Sequence, residues 1–266
     1  MTNNAQDVWA NADTYEHYVG RWSRLAAKQF VKWLNLPSNG SWLDVGCGTG
    51  ALSQTILNVA SPQKVTGIDR SDGYVEFARR QITDSRAAFE VGDAQDLKQF
   101  EDKSFDAAVS SLVLNFVPQP DRMVAEMKRA VKTNGVVALY VWDYAGKMQL
   151  LRHFWNAAAA LDPAAIELDE GRRFPICNPN RLTDLFRSAG LQNIETRPID
   201  VDTHFKDFDD YWTPFLGGQG PAPGYCISLS EDRRVSLREK IRSSLPFALD
   251  GSIPLVARVW AVCGYC

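Results

Sequence analysis

The sequence has few of the features that mark nucleic-acid-binding or membrane proteins. Its 266 residues carry 29 Lys and Arg against 32 Asp and Glu, a formal net charge of −3, and no run of basic residues stands out. Proteins that bind RNA or DNA usually present a basic stripe to the phosphates, so we expect no nucleic-acid partner. No stretch approaches the roughly 20 apolar residues of a membrane-spanning helix, so we expect no membrane association.

Cysteine and histidine are also scarce. The five cysteines have no spacing typical of a disulfide framework, and Cys263 and Cys266 form a single C-x-x-C pair. One such pair cannot supply the four ligands of a structural zinc site, so we predict no metal. Because the sequence shows neither a disulfide pattern nor an apolar leader segment, we expect a cytoplasmic location.

A glycine-rich loop is the most informative feature that is present. Residues 42–50 read Trp-Leu-Asp-Val-Gly-Cys-Gly-Thr-Gly, and a helical pattern begins at Ala51. Glycines in such a loop allow backbone N–H groups to come close to a bound ligand. Asp44 adds a hydrogen-bond acceptor at the end of the preceding apolar strand. Together they predict a nucleotide-type ligand bound to an α/β sheet.

Strand and helix patterns alternate after this loop. The alternation predicts an α/β fold with a doubly wound, mainly parallel sheet. Gly135 is interpreted as the end of the helix before the fifth strand, and residues 214–225 as an irregular Gly/Pro loop. The predicted strands are 41–45, 64–68, 87–91, 106–111, 136–142, 191–201 and 255–263.

Acidic residues recur where these strands end. Ligands of doubly wound sheets bind at the carboxyl ends of the strands, and Asp44, Asp69 and Asp93 all fall there. We therefore expect them to face one crevice. Asp69 is placed to accept hydrogen bonds from a ribose diol, and Asp93 with the amide of Ala94 is placed to bind an adenine edge.

These segments resemble the class I S-adenosylmethionine (SAM)-dependent methyltransferases of the small-molecule, type 11/25 kind. The resemblance implies a seven-stranded sheet in the order 3-2-1-4-5-7-6, with SAM as cofactor and S-adenosylhomocysteine (SAH) as product. It also implies that the glycine loop holds the methionine part of SAM. The matching segments are 43–50, 67–69, 92–94, 105–110 and 134–136. The predicted cofactor-binding residues are Tyr15, Tyr18, Arg21, Asp44, Gly46, Cys47, Gly48, Gly50, Asp69, Arg70, Asp93, Ala94, Ser110 and Ser111.

Two other functions fit part of the same pattern. A nicotinamide-dependent oxidoreductase has a G-x-G-x-x-G loop with an acid about 20 residues later, and it accepts the Ala found here at position 51. Asp44 before the first glycine and Asp93 after the third strand favour SAM over this alternative. A non-catalytic SAM-binding protein would share the whole cofactor pattern.

The segments outside the core predict the domain organisation and the acceptor site. We expect an N-terminal helical cap (1–40), a core (41–201 and 253–266) and a helical insertion (202–252) that acts as a lid near the substrate. The acceptor is expected to be a small molecule, and the protein a monomer or homodimer. The predicted acceptor-binding residues are Asn115, Trp142, Tyr211, Trp212, Phe215 and Tyr225.

Methyl transfer from a sulfonium is an in-line displacement, so the protein contributes mainly by proximity and orientation. A hydroxyl acceptor also needs a nearby base. The candidates are His153, Asp143 and Tyr144, which follow the fifth strand. An amine, thiol or activated carbon acceptor can react without a base.

Overall fold

The computed structural model describes residues 20–217 and 220–266. Seven strands form one sheet in the order β3-β2-β1-β4-β5-β7-β6, which confirms the predicted topology. Strands β1 to β5 pair in parallel, and β7 pairs antiparallel with β5. The strands are β1 Ser41–Val45, β2 Lys64–Asp69, β3 Ala87–Val91, β4 Phe105–Ser111, β5 Val131–Trp142, β6 Gln192–Phe205 and β7 Ile253–Tyr265.

Ten α-helices are described within these ranges, together with three short 3₁₀ segments at Leu114–Phe116, Pro163–Leu168 and Thr213–Gly217. The α-helices are α1 Arg21–Leu34, α2 Ala51–Val59, α3 Asp72–Gln81, α4 Pro120–Ala130, α5 Gln149–Leu161, α6 Glu170–Arg173, α7 Pro179–Ser188, α8 Phe208–Trp212, α9 Pro221–Ser228 and α10 Glu231–Ser244. No helix in the described ranges is both long and apolar enough to cross a membrane.

The chain divides into two compact units. The sheet unit comprises Ser23–Trp142, Ile176–Ile199 and Val259–Cys266. The helical unit comprises Asp143–Pro175, Asp200–Arg258 and the described residues before Ser23. It contains the predicted insertion 202–252 and also residues 143–175, which the sequence pattern places in the core.

The register of the parallel strands brings their carboxyl ends together in the sheet unit. Val45 pairs with Ile68, and Asp69 pairs with Val91. Strands β1, β2 and β4 are short and mostly buried, as expected for the centre of a parallel sheet covered on both faces. The loops that follow β1, β2 and β3 therefore begin at one edge of the sheet.

Two local predictions are wrong. Gly135 does not end a helix, because α4 ends at Ala130 and Gly135 lies within β5. A Cβ at Gly135 would lie 2.7 Å from the carbonyl oxygen of Asp106, so glycine allows β4 and β5 to approach closely here. The Gly/Pro segment also contains helix α9, which begins with Pro221 in the first turn, where proline costs no hydrogen bond.

Candidate cofactor site

The glycine loop after β1 adopts three left-handed backbone conformations. Gly46, Gly48 and Gly50 have φ values of 73°, 52° and 85°, a region that favours glycine. A Cβ at Gly46 would lie 2.7 Å from the Val113 side chain, and one at Gly50 would lie 2.6 Å from Ile82. A Cβ at Gly48 would meet nothing within 4 Å. The loop is therefore packed at its two ends and open at Gly48.

The loop amides bond to the protein instead of facing outwards. The N–H groups of Gly46 and Cys47 both donate to the carbonyl oxygen of Ile68 at 2.8 Å. The N–H of Gly48 donates to Oδ2 of Asp69 at 3.0 Å. These three amides are therefore already bonded within the protein, and the contact of the loop with a ligand stays a prediction. Their bonds attach the loop to the end of β2 and hold it in one shape.

Asp69 links the glycine loop to the start of α3. Its Oδ2 accepts the Gly48 amide, and its Oδ1 accepts the N–H of Ser71 at 2.8 Å. A carboxylate oxygen has two lone-pair sites, so each oxygen of Asp69 retains the capacity to accept another hydrogen bond. These bonds orient the carboxylate and leave it able to bind a ligand.

A small cavity of about 90 Å³ lies at the carboxyl ends of the strands. Five predicted cofactor residues line it: Gly46, Asp69, Arg70, Asp93 and Ala94. Its other lining residues are Gly92, Gln95, Val113, Phe116, Val117 and Pro118. Gln95 and the last four of these are not among the predicted site residues, although the position of the last four directly after β4 is a signal that could have identified them.

Asp44 is a buried carboxyl group with one oxygen unpaired. Its side chain is fully buried, and Oδ2 accepts a hydrogen bond from the Ser53 hydroxyl at 2.6 Å. Oδ1 has no hydrogen-bond partner among the described residues. Burial raises the pKa of Asp44 to about 7. Because a buried unpaired oxygen is costly, Asp44 is suited to a ligand that brings a donor.

Asn115 is a second buried side chain with polar atoms that lack a partner among the described residues. It lies in the 3₁₀ segment directly after β4, and both Oδ1 and Nδ2 are buried without a hydrogen bond in the described ranges. A primary amide can donate and accept at the same time. Asn115 can therefore bind a group that has both a donor and an acceptor.

Three other predicted cofactor residues have structural contacts. The Ser110 hydroxyl donates to the carbonyl oxygen of Val45 at 2.7 Å and joins β4 to β1. Ser111 pairs with Tyr140 at the end of β4. The Cys47 thiol is buried, and this burial raises its pKa well above the ordinary value. Their role in cofactor binding stays a prediction.

The comparison with known proteins agrees with this geometry. Residues 43–139 match the family model described as "Methyltransferase domain". The chain is 28% identical to the ubiquinone biosynthesis O-methyltransferase of Hydrogenovibrio crunogenus, over 68% of this chain and 73% of that protein. It is 27% identical to the demethylmenaquinone methyltransferase of Bacillus licheniformis, over 70% of this chain and 88% of that protein.

A solved structure supports the fold. The phosphoethanolamine N-methyltransferase 2 of Haemonchus contortus, solved with SAM, superposes with a TM-score of 0.58 at 18% identity, covering 95% of this chain and 56% of that chain. In its matched residues 43–139 and in its strand order, the chain resembles the class I SAM-dependent methyltransferases. The residues that line the cavity at the strand ends all lie within the matched range 43–139.

The predicted catalytic residues all lie in the helical unit. Asp143 accepts hydrogen bonds from the backbone N–H groups of Gly146 and Lys147, both at 3.0 Å. Tyr144 is buried, with its ring 5.8 Å from the ring of Phe174. His153 lies on α5, and its Nδ1 is 3.5 Å from the Ser244 hydroxyl. Burial lowers the pKa of His153 and favours its neutral form.

The predicted acceptor-binding aromatics form a packed cluster in the helical unit. Phe215 stacks on Phe154 with ring centroids 4.5 Å apart. The Tyr211 hydroxyl donates to the carbonyl oxygen of Leu150 at 2.8 Å. Trp212 and Tyr225 are also buried. Trp142, the last predicted acceptor residue, is buried at the end of β5 in the sheet unit. These contacts are those of a core, and acceptor binding by these residues stays a prediction.

Arg21 is the described member of the predicted N-terminal cofactor residues, since Tyr15 and Tyr18 lie outside the described residues. Its Nη1 donates to Asp210 at 3.0 Å. Its guanidinium lies 4.4 Å from the centroid of the Trp22 ring and 4.7 Å from that of Phe205. Nε and Nη2 are buried and have no partner within the described chain. Arg21 therefore keeps two donors for an anionic group.

Proposed function

We propose that this protein transfers the methyl group of SAM to a small-molecule acceptor. The observation that supports this most strongly is the cavity at the strand ends. It brings Asp69 and Asp93 together beside the glycine loop. Asp69 and Asp93 are the groups that the resemblance assigns to the ribose and adenine of SAM, and together with the glycine loop they come from three successive βα units.

The residues at this edge fit the cofactor. Gly48 leaves open space beside the loop, where a Cβ would meet no protein atom within 4 Å. The unpaired Oδ1 of Asp44 would accept a hydrogen bond from the ammonium group of the methionine part. Asp69 would accept the ribose hydroxyls, and Asp93 with the Ala94 amide would bind the adenine. SAM, when bound, supplies the electrophilic methyl group.

Asn115 is the residue of the sheet unit that we propose for acceptor binding. Its free oxygen and free N–H₂ group would bind a polar group of the acceptor and hold the reacting atom in line with the methyl group. The names of the two relatives described above also refer to small molecules, ubiquinone and demethylmenaquinone.

Thermal unfolding with SAM, SAH and NADH in parallel tests the cofactor. A ligand at 100 times its dissociation constant stabilises a protein by about 2.7 kcal/mol, which shifts the unfolding temperature visibly. We expect SAM and SAH to stabilise and NADH to have no effect. Stabilisation by NADH alone would overturn the proposal and point to hydride transfer.

Turnover tests the reaction itself. Incubation with SAM carrying a labelled methyl group and a panel of phenols, amines, thiols and carboxylic acids should transfer label to at least one member and release SAH in equal amount. Binding of SAM with no transfer to any class would favour a non-catalytic SAM-binding protein.

A further inference from the structure

Tyr74 follows the proposed ribose-binding residue Asp69 in the chain and is not among the residues that line the cavity. It is in the first turn of α3, and its backbone N–H donates to the Ser71 hydroxyl at 3.4 Å, which caps the helix. Ser71 in turn donates its own N–H to Oδ1 of Asp69. These two bonds join the backbone of Tyr74 to the Asp69 carboxylate through Ser71.

The Tyr74 hydroxyl is buried and unpaired. Its oxygen is inaccessible to solvent and has no hydrogen-bond partner among residues 20–217 and 220–266. A buried hydroxyl without a partner costs free energy, because it has lost its bonds to water. Burial and the nearby Asp69 carboxylate raise the pKa of Tyr74 to about 12. The phenol is therefore neutral at physiological pH and keeps its proton for donation.

The chemistry of Asp69 and Tyr74 is complementary. A carboxylate only accepts hydrogen bonds, whereas a phenol can also donate one. A ribose hydroxyl has one proton to donate and lone pairs to be satisfied. A carboxylate beside a phenol can therefore satisfy both sides of a sugar hydroxyl, which Asp69 alone cannot.

We propose that the Tyr74 hydroxyl binds the ribose of the cofactor together with Asp69. This inference rests on the proposed function, since it assumes that SAM binds at the strand ends. It assigns to Tyr74 a binding role that is separate from the helix cap formed by its backbone.

The Tyr74→Phe variant tests this, because it removes only the hydroxyl. Calorimetric titration should show SAH binding weakened roughly three- to tenfold, the value of one neutral hydrogen bond. Binding of 5′-methylthioadenosine, which has the ribose but no amino acid, should weaken by the same factor. The unfolding temperature without ligand should stay the same or rise, because an unpaired buried hydroxyl has been removed.

Two matched variants provide the controls. Tyr211→Phe removes a buried hydroxyl that is paired with the Leu150 carbonyl, so it should lower the unfolding temperature. Tyr265→Phe removes a hydroxyl from a partly exposed side chain on β7. Tyr265 pairs with Val136, where the pairing of β5 with β7 begins. This variant should leave both the unfolding temperature and SAH binding unchanged.

The outcomes separate this inference from the proposed function. If the wild-type protein does not bind SAH, the proposed function fails. If the wild type binds SAH and Tyr74→Phe binds it equally well, only the role of Tyr74 fails. A weaker affinity for SAH but not for 5′-methylthioadenosine would contradict the ribose assignment. A lower unfolding temperature for Tyr74→Phe without ligand would mean that the hydroxyl has a partner in the protein, and it would also overturn the inference.

Discussion

The two units each contain a fully buried carboxyl group, and the two groups have different surroundings. Asp44 in the sheet unit has one oxygen bonded to Ser53 and the other unpaired. Glu170 in the helical unit accepts a hydrogen bond from the indole N–H of Trp155, beside the Arg152–Asp169 ion pair. Burial raises the pKa of both groups to about 7. Equal burial therefore does not mean an equal role. One oxygen of Asp44 is available to accept a hydrogen bond from a ligand, whereas Glu170 is hydrogen-bonded within the protein.

The largest expected effect is on the pH dependence of stability, and it should be common to both groups. Each folded-state pKa of about 7 lies above the unfolded values of 3.8 for Asp44 and 4.5 for Glu170. The stabilisation is therefore fully present below these unfolded values and is lost as pH rises through 7. The loss amounts to about 4 kcal/mol for Asp44 and about 3 kcal/mol for Glu170.

Denaturant unfolding of Asp44→Asn and Glu170→Gln between pH 4 and 8 measures this loss. Each variant should show a smaller decline in the free energy of unfolding than the wild type. Asp184→Asn, which changes an exposed carboxylate on α7, should keep the wild-type decline. A wild-type slope in both buried variants would show that neither carboxyl group is held protonated.

The next effect is specific to the sheet unit. Asp69→Ala should weaken SAH binding roughly 100-fold, because it removes a charged acceptor and the anchor of the Gly48 amide. Titration calorimetry measures the affinity, and circular dichroism should show that the fold is kept. The exposed Asp184→Ala serves as the control and should bind like the wild type. An unchanged affinity for SAH in Asp69→Ala would show that this cavity is not the cofactor site.

The pH dependence of SAH binding distinguishes the two buried carboxyl groups. If ionised Asp44 accepts the ammonium group, SAH should bind about tenfold more weakly at pH 6 than at pH 8, since the ionised fraction falls about tenfold across a pKa of about 7. Asp44→Asn should abolish this dependence, and Glu170→Gln should keep it. If the pH dependence of SAH binding were lost in Glu170→Gln and kept in Asp44→Asn, Glu170 and not Asp44 would be the group whose ionisation controls binding.

The smallest effect compares two glycines. Gly48 and Gly251 both have positive φ values, and a Cβ at either would meet no atom within 4 Å. Alanine at either position should cost about 1 kcal/mol of stability through backbone strain, measurable by denaturant unfolding. Only Gly48→Ala should also weaken SAH binding, because its Cβ would occupy the space proposed for the cofactor. Equal SAH affinity in the two variants would contradict that placement.

The sequence predicts the sheet unit better than the helical unit. In the sheet unit, alternating apolar strands and helices follow a repeating βα pattern, and Asp69 and Asp93 lie at strand ends as expected. In the helical unit, prolines and glycines around Pro221 indicate a loop, yet the segment begins helix α9. Proline is compatible with the first helical turn and with a loop, so local composition cannot distinguish them.

The sequence by itself determined the alternation of strands and helices and the positions of Asp44, Asp69 and Asp93, because strand periodicity, glycine spacing and βα repeats are properties of neighbouring residues. The strand order was implied by the family resemblance. Only the tertiary structure decided which polar atoms have partners. Among the described residues, Oδ1 of Asp44, the hydroxyl of Tyr74 and the amide of Asn115 have no partner, and the loop amides bond to the end of β2. Hydrogen-bond partners are distant in sequence, and burial depends on elements that meet only in the folded chain.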